Sequence, residues 1–128
     1  MDTAYIDVDG KWGVAIGYNL KPLDEYRVRD SLLALGLHGR HTETAIDVLF
    51  NYTNTGLCVS VPKRRMSLIF IGNAYDNEQF WDTLTHELYH ATQDICEYYD
   101  VDASGEDGAW TIGYLIRVAV HQIAEPCI

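Results

Sequence analysis

Apolar residues recur along this chain at two spacings. In the short runs near the N-terminus and the centre they are dense or alternate. Over the longer stretches they return every third or fourth position. Residues 4–8 and 12–18 are rich in aromatic and β-branched side chains and flank Asp9-Gly10, which predicts a β-hairpin. Pro22 and Asp24 open a predicted helix over 24–35, with Leu32 and Leu35 on its apolar side and Gly36 as its stop. Residues 42–52 fit two patterns: Ile46, Val48, Phe50 and Tyr52 alternate as in a strand, while Ala45, Val48, Leu49 and Tyr52 share a helical face. The helix is the preferred reading.

Residues 57–61 and 66–71 read as strands joined across Pro62-Lys63-Arg64-Arg65. The second is apolar almost throughout, which predicts burial on both faces. A helix over about 77–99 follows, then a loop over 100–105 dense in Asp, Ser and Gly. The last element, 106–124, is a helix apolar enough to be covered on most sides. Gly113 within it suggests close approach to the neighbouring helix. The expected fold is α+β: a small mixed or antiparallel sheet of short strands, packed on the 77–99 helix and an antiparallel apolar C-terminal helix. All 128 residues form one expected domain, without repeats or linkers.

A formal charge of −10 disfavours nucleic acid as a partner, since that needs a basic footprint. The one dense basic cluster is Lys63-Arg64-Arg65. No apolar run reaches the length of a membrane span, and no basic stretch followed by an apolar block suggests a signal peptide. Cys58, Cys96 and Cys127 lack metal-type spacing, so a reducing cytoplasm is the simpler setting.

The definite chemistry lies in His86-Glu87-Leu88-Tyr89-His90. Two imidazoles four residues apart on a helix lie one turn apart on one face and can close on one Zn2+ ion. Glu87 between them is placed to act as general base. On a wheel of about 100° per residue centred on Leu84, Phe80, Trp81, Leu88, Ala91 and Ile95 fall within roughly 60° of the core line. His86 and His90 fall near ~200° and ~240°, on the polar side. Two His are too few for a catalytic zinc site, and the candidates for a third ligand are His121, Asp94, Glu97, Glu106 and Asp107. Glu106 is preferred because the chain reverses just before it. His121 lies about 22 Å further along a straight helix and cannot share a metal with Glu106.

H-E-x-x-H followed by Glu106 on the next helix resembles the gluzincin branch of the zincin metallopeptidases. Together with Asn54-Thr55-Gly56-Leu57, the strand leading to Gly72, and Gly105-Glu106-x-x-Ala109-Trp110-x-x-Gly113, it resembles small metallopeptidase-like proteins carried by gut bacteria and their phages. The resemblance implies metal ligands His86, His90 and Glu106 with Glu87 as the catalytic residue. The pattern departs from metzincins at Gln93 and Cys96, and from larger gluzincins at Trp110, where those carry a supporting Asp; Asp107 or Asp94 would have to serve instead. The expected function is zinc-dependent hydrolysis of a peptide or protein substrate, with the 66–71 strand, if at a sheet edge, pairing with it. The alternative is a catalytically silent zincin-like scaffold that binds a protein partner with structural metal or none.

Overall fold

A computed structural model describes residues 1–123. The predicted end of the last helix at residue 124, and Cys127, lie outside the described residues. Four strands and four helices follow in the order β1 (Asp2–Val8), β2 (Trp12–Tyr18), α1 (Glu25–Ala34), α2 (Arg40–Asn51), β3 (Gly56–Val61), β4 (Met66–Ile71), α3 (Asn77–Tyr98) and α4 (Glu106–Gln122). The fold is α+β, built on a four-stranded mixed sheet. Among the described residues no helix is long and apolar enough to cross a membrane. The ambiguous 42–52 segment is helical: Ile46 and Leu49 are buried three residues apart, so the helical period wins over the alternation.

Strand order is β1-β2-β4-β3, with β2 and β4 parallel and both outer pairs antiparallel. Asp9 and Gly10 both take positive φ and turn β1 tightly into β2. The parallel β2–β4 pair needs a crossover, and α1 and α2 lie within it.

Alternation along β4 separates two cores. Phe70 joins Val28, Leu32, Ile46 and Leu49 under α1 and α2. Ile69 and Ile71 join Leu84, Leu88, Ala91, Leu115 and Ala119 under α3 and α4. The sheet is therefore covered on both faces, which explains why β4 is apolar on both.

Contacts fix how α3 and α4 run. Phe80 meets Tyr18 at one end of β2, and Tyr98 and Tyr99 flank Trp12 at the other, so α3 is antiparallel to β2. Tyr114 bonds the Asp7 carbonyl and Gln122 pairs with Tyr5, so α4 runs antiparallel to β1. The two helices are thus antiparallel to each other, as the pattern predicts.

Two expectations are corrected. Strand β4 is interior, flanked by β2 and β3, so it offers no free edge. The edges are β1 and β3. At Gly113 an added Cβ would meet no atom within 4 Å, so this glycine does not mediate an intrachain helix contact. The close approach falls instead at Gly108, whose missing Cβ makes room for the Ala103 carbonyl.

Candidate metal centre

Helix α3 starts cleanly because the Asp76 carboxylate accepts the Gln79 backbone N–H at 2.9 Å, satisfying one of the free donors of the first turn. Phe80, Leu84, Leu88, Ala91 and Ile95 bury against the sheet, and Trp81 packs partly against the same core. That anchoring fixes the rotation of the helix and so the direction of its polar side. His86 and His90 emerge exposed, while Glu87 turns back towards β3 and is 7% exposed.

The three side chains converge. Their ligand atoms all lie within 4.8 Å of one another, forming a group that could hold a metal ion. The two Nε2 atoms are 3.1 Å apart, with the rings close to perpendicular at 78°. Two nitrogens bound to one tetrahedral zinc at about 2.0–2.1 Å would stand roughly 3.3–3.4 Å apart. The imidazole pair is therefore within a few tenths of an ångström of the spacing that a single ion requires.

Glu87 is held differently from the histidines. Gly56 of β3 lies against it: a Cβ there would come within 2.7 Å of Glu87 Cγ and 2.9 Å of Oε2. Gly in a strand interior marks such a close approach. Burial raises the Glu87 carboxyl above the usual carboxylate range, and positive charge on His86 and His90 works against that rise. Its affinity for a proton is thereby moved towards neutral pH, as a general base requires.

Beyond Glu87, α3 is tied to β3 a second time. Ser60 Oγ donates to Asp94 Oδ2 at 2.5 Å, lies 2.7 Å from Ser67 Oγ, and Ser67 in turn accepts the Trp12 indole N–H at 3.0 Å. This chain of hydrogen bonds reaches from the buried sheet to the polar flank of the helix. An open cavity of about 350 Å³ lined by Ser60, Pro62, Asp94, Glu97 and Tyr98 extends from it. Asp94 is thus committed to β3 and is not in the metal-capable group. Cys58, between the two ties, has its thiol pushed up to about 12, chiefly by burial and then by Asp94 and Glu87. It stays protonated at neutral pH and is a poor nucleophile or ligand.

The remaining sequence candidates are not in that group. Glu106 is exposed in the first turn of α4 and does not join the His86, Glu87, His90 group. Helix α4 packs on the flank of α3 that carries Cys96, whose neighbours are Asp107 and Thr111. On the α3 wheel Cys96 stands about 80° from His86 and about 120° from His90, so α4 packs on the flank nearer His86. His121 is exposed near the end of α4. Sequence reasoning missed Gly56 and Ser60 as neighbours of the site. Gly56 carries a signal, a glycine at the head of a strand, but nothing in the sequence pairs it with Glu87.

No protein-family model, curated protein or solved structure matches this chain.

Proposed function

We propose that this protein is a zinc-dependent peptidase of minimal zincin type, with His86 and His90 as metal ligands, a third ligand supplied from outside the His86, Glu87, His90 group, and Glu87 as general base. The observation that carries the reading is the convergence of two imidazole Nε2 atoms 3.1 Å apart beside a buried carboxylate of raised pKa. A bound zinc supplies a Lewis acid and lowers the pKa of water at this position. The Glu87 carboxylate takes the proton of the attacking water on one Oε and delivers it to the leaving amine nitrogen. Packing against Gly56 limits its rotamers and keeps that oxygen aimed at the imidazole pair.

Substrate positioning falls to β3, the edge strand beside the centre. The other edge is occupied at its centre, where Gln122 donates to the Tyr5 carbonyl and accepts the Tyr5 N–H. Among the described residues nothing pairs with the outer edge of β3. An extended peptide added there gains main-chain hydrogen bonds and passes Glu87 at the level of Gly56.

The rival reading is a partner-binding scaffold in which Glu87 is itself the third ligand. Its support is the position of Glu106 outside the group, which leaves two imidazoles and one carboxylate as the donors. Cleavage of a mixed pool of unstructured peptides tests the choice. Turnover should appear with one equivalent of zinc, fall at least 100-fold on chelation and return on adding zinc. Zinc binding with no cleavage of any peptide would favour the scaffold.

A further inference from the structure

We propose that the outer face of α4 is a homodimer interface, in which two copies of this helix cross antiparallel at Gly113. The proposal is independent of the metal centre. Opposite its buried line of Gly108, Thr111, Leu115 and Ala119, α4 exposes Trp110 and Val120, 59% and 55% accessible, with Gly113 between them. A helix side facing only water normally carries polar residues. Gly113 is also unexplained within the chain: a Cβ there meets nothing, yet glycine costs about 1 kcal/mol against alanine in a helix interior. A second backbone crossing at that point would use the space.

Charge selects a second copy as the occupant and sets its direction. Glu106 begins the helix, and Arg117 and His121 stand near its end on the same side. Among the described residues none of the three has an ion-pair partner, although Arg117 lies over the Tyr114 ring at 5.5 Å. Glu106 is seven residues before Gly113, about 10.5 Å along the axis. In an antiparallel pair the partner's Arg117 and the partner's His121 fall about 6 and 12 Å from the crossing on that same side, bracketing Glu106. The two-fold axis makes this contact twice. A parallel pair would instead set Glu106 against the partner's Glu106. The contact also keeps a locally balanced face in a chain that otherwise carries −10.

Sedimentation of the full chain over a range of concentrations tests this. The wild type should show a reversible monomer–dimer equilibrium. Gly113→Leu, which has open space in its own chain, should fold normally and weaken the dimer at least tenfold. Glu106→Arg and Arg117→Glu should each weaken it, and the double exchange should restore it. Wild-type protein that stays monomeric at every concentration, Gly113→Leu that dimerises as tightly as wild type, or single charge reversals without effect would each overturn the proposal.

Discussion

Replacing Glu87 with Gln is expected to lower peptide turnover by about 10²–10⁴-fold, the usual contribution of a positioned general base, while zinc remains bound. The substitution keeps the shape that Gly56 accommodates and removes only the proton-accepting carboxylate. Zinc retention is the informative half. If Glu87 is a ligand rather than a base, the amide is a far poorer donor and metal affinity falls together with activity. Turnover and zinc affinity measured on the same preparation separate the roles. Unchanged turnover would remove the mechanism.

Gly108→Ala should be the most damaging of the conservative helix substitutions. Its Cβ would lie 1.7 Å from the Ala103 carbonyl oxygen and 2.4 Å from the carbonyl carbon, both backbone atoms. The neighbouring loop has little freedom to yield: Asp102 accepts the Ser104 N–H and hydroxyl, and its carbonyl accepts the Gly105 N–H. Overpacking of this kind costs about 1–3 kcal/mol, occasionally more, against a helix-propensity gain of about 1 kcal/mol. The denaturation midpoint should fall. For Gly113→Ala, measured on monomer, it should rise by the equivalent of about 0.5–1 kcal/mol. A neutral or stabilising Gly108→Ala would contradict the packing described at the α3–α4 turn.

The periodic signals in the sequence carry most of the fold. The apolar stripe from Phe80 to Ile95 predicts both the core face of α3 and the opposite placement of the imidazoles, because rotation about a helix axis is settled by burial alone. The apolar run of β4, broken only by Ser67, predicts a strand covered on both sides, and the structure shows α1–α2 on one face and α3–α4 on the other. Sheet order is another matter. It depends on crossover connections that leave no local trace, so β3 and not β4 proves to be the edge beside Glu87.

The candidate centre was legible where it is local. His86, Glu87 and His90 share five residues of one helix, and their convergence follows from helical geometry. Glu106 depends on which flank of α3 the last helix occupies. The wheel of α3 contains that information only weakly, in the small and half-polar Cys96 on the α4 side. The two glycines of α4 show the same limit. Their sequence cost is equal, yet one fits against a loop carbonyl and the other faces open space.

Zinc stoichiometry of the intact protein by native mass spectrometry, compared with His86→Ala and Glu106→Ala, decides whether the imidazole pair holds the metal. One zinc per chain in the wild type, none in His86→Ala and one in Glu106→Ala is the predicted result. Wild-type protein that takes up no zinc on reconstitution, or His86→Ala that still holds it, would contradict the assignment of the His86–His90 pair as the metal centre.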